Sequence, residues 1–251
     1  MYLAELTSPT VAALPRTTPV VVPIAACEQH GPHLPLFTDS LLLGEVVRRT
    51  ELRLREQLLV TPLLWLGNSE HHLDFAGTLS AAPRTYLDTL QEIAANLLFH
   101  RFHTLVLLNG HGGNIVPGQQ ALFELRQRHR ERDDLRLYAA TYWALGTSPR
   151  DDDASFVQSQ MGHACEWETS MMLHLRPELV GEYVGLPPVS QDRPAGAAYQ
   201  AWTTRDRSQW GYLGDPARAS AAKGARLLDR FTDDVTGWLE GLLARHGSRA
   251  S

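Results

Sequence analysis

Histidines and carboxylates recur together in three short polar segments of this chain. The first is Glu28-Gln29-His30-Gly31-Pro32-His33, with a further carboxylate following at Asp39. If the extended geometry of the apolar run before it persists, Glu28 and His30 point to the same side. A carboxylate and an imidazole so placed suit a borderline divalent ion such as Zn²⁺ or Mn²⁺. Asp39 offers two oxygens with which to bridge a pair of ions, and it equally suits the cap of the helix expected next.

The second segment, Asn109-Gly110-His111-Gly112-Gly113-Asn114, follows an apolar run directly. This puts His111 at the carboxyl end of a strand, where open α/β sheets place their ligands. Three glycines around one histidine make a loop that turns sharply and approaches a ligand closely. A purely structural turn needs fewer glycines and no histidine. The third segment is His163-Ala164-Cys165-Glu166-Trp167-Glu168-Thr169-Ser170. His163 and Glu166 share a helical face, and Glu168 is turned away unless His163 lies just before the helix begins. Acidic residues suit a helix start through the dipole alone, which accounts for Glu166 and Glu168 but not for His163.

The elements that must hold these segments alternate along the chain. Pro19–Ala26 (PVVVPIAA) and Thr104–Leu108 (TLVLL) have the β-branched, apolar character of buried strands. A further strand is expected within Leu58–Leu66, demoted in part by Pro62, and another over Leu135–Tyr142. Helices are expected after Asp39 or Ser40 as cap, from Pro83 to about Phe99, from Pro117 to about Arg132, near Ala164–Leu175, and from Ala217 to about Arg245. This alternation predicts a single α/β domain over residues 1–251, its mostly parallel sheet flanked by helices on both faces. Gly146–Gly162 is polar and irregular, and Gly185–Ala219 is a long irregular excursion placed to cover a site.

Bulk composition narrows the function classes. Of 251 residues, 43% are hydrophobic and 20% charged, enough apolar material for a substantial core. The net charge of -5, with no element concentrating Lys or Arg, argues against nucleic-acid and anionic-membrane partners. Only Cys27 and Cys165 are present, which excludes a disulfide framework and fits a reducing compartment. The first residues lack the basic start and apolar stretch of a secretory signal, and no run approaches the roughly 18 apolar residues of a membrane span. A cytoplasmic location is therefore expected.

The three segments Glu28–Asp39 (EQHGPHLPLFTD), Asn109–Asn114 (NGHGGN) and His163–Ser170 (HACEWETS) resemble, in order and separation, the creatininase family. Its members carry an EQHGPHLP…TD loop, an NGHGGN or related loop and an HAGxxETS segment. Softer matches run from Ser69-Glu70-His71-His72 through Phe75–Ser80, and over Gly211–Pro216 with Ala219, Lys223 and Gly224. The segment Arg16–Leu42 also resembles the creatininase-family peptidases associated with mycofactocin maturation.

The resemblance implies a compact α/β amidohydrolase, commonly a hexamer of identical subunits, with two divalent ions (Zn²⁺, Mn²⁺ or Fe²⁺) at the strand ends. Carried over by position, Glu28 and His111 hold one ion, His30 holds the other, and Asp39 bridges them. Creatininase proper has a Glu where this chain has Gly113, which leaves the second ion one ligand short. Glu166 is nominated to supply it, with Glu168 as the competing candidate. His163 resembles the family's proton-shuttling histidine, with Glu168 as its orienting partner, and Cys165 is read as packing. Ser69, Gly112 and Asn114 are expected to bind substrate, the loop's N–H groups or the Asn114 amide steadying an oxyanion. The implied reaction hydrolyses a C–N bond of a small amide or cyclic amide through a water bridging the ions. A peptidase acting on a short peptide is the second reading, and a non-catalytic metal-binding assembly subunit the third.

Overall fold

In the computed structural model, which describes residues 1–191 and 198–247, the strand-forming segments make one parallel sheet. A short helix α1 (Ser8–Ala13) precedes strand β1 (Val20–Ile24), followed by α2 (Thr38–Arg53), β2 (Leu59–Val60), α3 (Pro83–Phe99) and β3 (Thr104–Asn109). Then come α4 (Ile115–Arg128), β4 (Arg136–Thr141), α5 (Pro149–Asp152), α6 (Glu166–Leu175), α7 (Thr204–Arg207) and α8 (Ala221–Gly247). The strand order is β2-β1-β3-β4, all parallel, with Val20 opposite Leu105 and Leu105 opposite Leu137.

Alternation along the buried strands sends side chains to two separate cores. Val21, Val60, Val106 and Leu108 pack with the apolar stripes of α2, α6 and α8, including Val46, Trp167, Met171, Phe231 and Leu239. Val20, Val22, Ile24, Leu105 and Leu107 pack with α3 and α4 through Tyr86, Leu90, Leu97, Leu122 and Leu125. Fully buried parallel strands need no polar face, which is why β1 is apolar throughout and β3 is apolar between Thr104 and Asn109. The chain leaves β1 toward β2 over one face and later returns beside β1 as β3, crossing to β4 over the other. The order therefore reverses between β1 and β3, and a crevice opens at their carboxyl ends.

Two expected elements differ from the structure. The strand expected within Leu58–Leu66 shrinks to Leu59–Val60, because Pro62 ends the ladder, and only Leu64 rejoins as a single bridge to Ile24. Helix α2 starts at Thr38, so Asp39 is inside its first turn and does not cap it. The Ser40 hydroxyl is not a cap either; it donates to the Ala26 carbonyl at 2.8 Å. The Gly185–Ala219 excursion holds only α7 and a turn of 3₁₀ helix at Pro216–Arg218 among its described residues. Among the described residues no helix is long and apolar enough to cross a membrane.

Candidate metal centre

Two adjacent strands deliver the first two polar segments to the same crevice. After β1, the Glu28 N–H donates to the Leu36 carbonyl at 2.9 Å, and Gly31 takes a positive φ of 64°. That turn folds the loop back so that Glu28 and His30 both face inward, each fully buried. After β3, the Asn109 amide grips the turn at both ends, accepting from the His111 N–H at 3.0 Å and donating to the His111 carbonyl at 2.8 Å. A parallel neighbour and a doubly bonded turn leave His111 little freedom to point elsewhere.

The side chains meet at short range. His30 Nε2 lies 3.1 Å from Asp39 Oδ1 and 3.7 Å from Glu168 Oε1. Asp39 Oδ2 lies 3.0 Å from His111 Nδ1, and Glu28 Oε2 lies 3.2 Å from His111 Nε2. Asp39 therefore stands between the two imidazoles, one oxygen toward each. Glu28 Oε1 faces His72 Nε2 at 3.2 Å and His163 Nδ1 at 3.5 Å.

His30 Nε2 and Asp39 Oδ1 are hydrogen-bonded, but close approach elsewhere in the cluster does not amount to hydrogen bonding. Both Glu28 carboxylate oxygens and Asp39 Oδ2 are buried without a hydrogen-bond partner among the described residues. Leaving a buried carboxylate oxygen so is costly unless a cation satisfies it. Ligand atoms of Glu28, His30 and Asp39, and likewise those of His30, His163 and Glu168, lie within 4.8 Å of one another. Carboxylate oxygens and imidazole nitrogens at such spacing match the donors that Zn²⁺ and Mn²⁺ take.

The charges agree. Burial raises the Glu28 carboxyl, but His111 and His72 outweigh it and hold it well below the usual carboxylate range. Burial lowers His111, yet Glu28 and Asp39 push it up to about 10, and His30 is likewise held well above its usual value by Asp39 and Glu168 against burial. These two imidazoles carry protons only because anions surround them, and a divalent ion would take the place of those protons. His163 behaves oppositely: burial, His72 and His30 hold it well below its usual value, so its ring is neutral.

The third segment departs most from the sequence expectation. Ala164 takes a positive φ of 47°, and Cys165 forms the N-cap, so α6 begins only at Glu166. His163 therefore precedes the helix, clamped by paired backbone hydrogen bonds to Leu213 at 3.0 and 2.8 Å. That phase turns Glu168 toward the site and Glu166 away from it. The structure does not bring Glu166 to the cluster: its carboxylate accepts from the N–H groups of Val157 and Gln158 at 2.9 Å and pairs with Lys223 at 2.5 Å.

Glu166→Gln is accordingly expected to cost about 3 kcal/mol of stability by leaving Lys223 without its buried partner. Its metal content should match that of the parent. Denaturant midpoints and metal analysis on the same preparation test this, and an unchanged midpoint with one ion lost would return Glu166 to the cluster.

Other expected residues have mixed fates. Glu168 does not orient His163; its Oε2 accepts from the Cys165 N–H at 3.4 Å while Oε1 faces His30, and His163 Nε2 donates instead to the Gln29 carbonyl at 2.8 Å. Ser69 is buried with its hydroxyl 3.3 Å from His111 Nε2. The Asn114 amide is buried and held by backbone, accepting from the Asn68 N–H and donating one hydrogen to the Ala25 carbonyl, both at 2.9 Å. Gly112 is exposed with open space where a Cβ would stand, whereas a Cβ on Gly113 would collide with the Asn68 carbonyl and the His111 ring. No side chain fits at position 113 on this backbone. Burial pushes the Cys165 thiol up to about 12, in keeping with packing rather than nucleophilic use.

Sequence reasoning missed four neighbours of the cluster. His71 and His72 carried only a soft family match; His72 is buried against Glu28, and His71 stacks on His111 with ring centroids 5.8 Å apart. Trp202 meets His71 edge-on at 5.0 Å, and the Thr204 hydroxyl lies 2.7 Å from His72 Nδ1. These two belong to the excursion expected to cover a site, and its described part does lie against this one.

A family model described as creatininase, creatinine amidohydrolase, matches residues 4–239. The mycofactocin precursor peptide peptidase of Mycobacterium tuberculosis (strain CDC 1551 / Oshkosh) is 33% identical over 248 residues, covering 92% of this chain and 89% of that protein. The creatinine amidohydrolase of Pseudomonas putida is 33% identical over 174 residues, 64% of this chain and 65% of that one. A crystal structure of creatinine amidohydrolase (creatininase) superposes with a TM-score of 0.84 at 26% identity, covering 96% of this chain and 97% of that chain.

Proposed function

The chain belongs to the creatininase family of hydrolases acting on carbon–nitrogen bonds, and from that premise we propose that it is an amidohydrolase working with two divalent ions. The observation that carries the reading is the convergence of Glu28, Asp39 and Glu168 on His30 and His111, with Glu28 and Asp39 oxygens left unsatisfied in the protein interior. Glu28, Asp39 and His111 would hold one ion and His30, Asp39 and Glu168 the other, Zn²⁺ or Mn²⁺ in either place. Glu168 thus takes the ligand position that the glycine loop cannot fill. When bound, such ions polarise an amide carbonyl and acidify the water that attacks it.

The protein's own groups supply the rest. His163, neutral and with Nε2–H committed to the Gln29 carbonyl, turns Nδ1 toward the carboxylates. There it accepts a proton from the attacking water and returns it to the departing nitrogen. The N–H groups of Gly112 and Gly113, on a loop bare of side chains, are the candidates to steady the oxyanion. The substrate class that suits this site is a small amide or cyclic amide.

A second substrate reading, a short peptide, is supported by the reach of the peptidase relatives. They align over 87% to 92% of the chain where the creatinine amidohydrolase aligns over 64%. A panel of creatinine, simple amides and short peptides, assayed before and after chelation, tests both readings. Hydrolysis of a panel member should vanish on complete metal removal and return with Mn²⁺ or Zn²⁺. Turnover indifferent to the chelator would sink the two-ion mechanism, and turnover of peptides alone would select the second substrate class.

A further inference from the structure

Two histidines touch Glu28 without belonging to the ion-holding set, His72 and His163, and both meet the same side chain. Gln29 is buried between them, and the orientation of its amide is fixed by backbone. Its Oε1 accepts from the Gly31 N–H at 2.9 Å, and its Nε2 donates to the Gly211 carbonyl at 2.7 Å. The ends cannot be exchanged, since an amide nitrogen would then face an N–H and an oxygen would face a carbonyl. One amide hydrogen is thereby used, and one remains.

That remaining hydrogen has two imidazoles within reach, His72 Nδ1 at 2.7 Å and His163 Nε2 at 3.0 Å. His163 Nε2 also lies 2.8 Å from the Gln29 carbonyl oxygen, which can only accept, so this nitrogen carries the His163 proton. A protonated nitrogen cannot receive the amide hydrogen. It goes to His72 Nδ1, where the Thr204 hydroxyl, 2.7 Å away, is a further donor. His72 Nδ1 is therefore unprotonated, and the ring's proton sits on Nε2, facing Glu28 Oε1 at 3.2 Å.

We infer that Gln29 is a positioning residue that sets which ring nitrogen bears the proton in His72 and in His163. With His72 presenting an N–H to Glu28, it has no lone pair to offer an ion there. The grouping of Glu28, His72 and His163 is thus not an ion site, although its atoms are close enough. Glu28 Oε1 then faces the His72 N–H without hydrogen-bonding geometry, and Oε2 is left open on the side of His111. His163 keeps its lone pair on Nδ1, the only ring position that faces the carboxylates. The role of Gln29 is defined through these two rings, and its use in catalysis rests on the function proposed above. Partners that fix the tautomer of a catalytic or ligating imidazole commonly matter 10- to 100-fold.

The test reads the protons directly. Full-length protein labelled with ¹⁵N-histidine and loaded with Zn²⁺ gives long-range ¹H–¹⁵N correlations that identify the protonated nitrogen of each ring. Signals are assigned by their loss in His72→Gln and His163→Gln. Both rings should carry the proton on Nε2. Gln29→Glu, of the same shape but with an acceptor in place of the donor, should move the His72 proton to Nδ1 in most molecules. His163, held by the backbone carbonyl, should stay as it is. An Nδ1–H in either ring of the parent protein, or a His72 ring unmoved by Gln29→Glu, would overturn the assignment. A chain that took up no zinc would instead defeat the proposed function, and the ring signature would still be measurable.

Discussion

Asp39→Asn is expected to lose one of two bound ions and to reduce turnover by about 10³-fold, equivalent to about 4 kcal/mol of transition-state stabilisation. The reason lies in its place between two imidazoles, with Oδ1 3.1 Å from His30 and Oδ2 3.0 Å from His111. No other carboxylate of the cluster lies against both His30 and His111. An amide keeps one oxygen acceptor and exchanges the other for a donor, so one side of the centre faces an NH₂ group that cannot hold a cation. Shape and volume are conserved, which separates this effect from loss of packing. Metal analysis after gel filtration, set beside kcat on any active panel substrate, is the measurement. Two ions retained with kcat within tenfold of the parent would show that Asp39 does not bridge.

His163→Gln is expected to behave differently, lowering kcat by about 10²- to 10⁴-fold, the usual worth of a positioned general base, while both ions stay bound. His163 lies near His30 and His72, with ring centroids 4.4 and 4.3 Å away, and its Nδ1 is 3.5 Å from Glu28. That proximity makes it either a proton carrier or a ligand, and stoichiometry decides between the two. A neutral, buried ring with Nε2–H tied to a carbonyl is suited to the first role. If His163→Gln lost an ion along with its activity, His163 would belong to the ligand set and the proton would need another carrier.

Much of this centre was legible in the residues because its parts sit on elements with strong local signals. The apolar runs at β1 and β3 and the proline-initiated α3, whose bounds match the expectation of Pro83 to Phe99, depend on burial and on φ alone. Glu28, His30 and His111 lie within a few residues of those strand ends, so naming the strands named them too, and Asp39 stands at the start of the helix that follows the first loop. The choice between Glu166 and Glu168 was not legible, because it turns on helix phase. An alanine at positive φ and a cysteine N-cap delay α6 until Glu166, a backbone choice made by the Leu213 pairing far along the chain. His71, His72 and Trp202 escaped for a related reason. They sit on irregular backbone with no period, and only tertiary contact brings them to the cluster.

The attachment of α6 to α8 governs when during synthesis this centre can exist. Glu168 is held in place by a helix that packs on α8, where the Gly224 backbone lies against that of Ser170 and Lys223 reaches the buried Glu166, while His163 is paired with Leu213 just before that helix. A ribosome that has released β1, β3 and their loops has already exposed Glu28, His30, Asp39 and His111. The nascent chain nonetheless lacks the support that fixes Glu168 and His163. On the proposed two-ion reading, tight metal capture would be a late event in the life of the polypeptide. It follows the emergence of the last long helix, and an ion taken up earlier would sit in a half-built centre unable to turn over substrate.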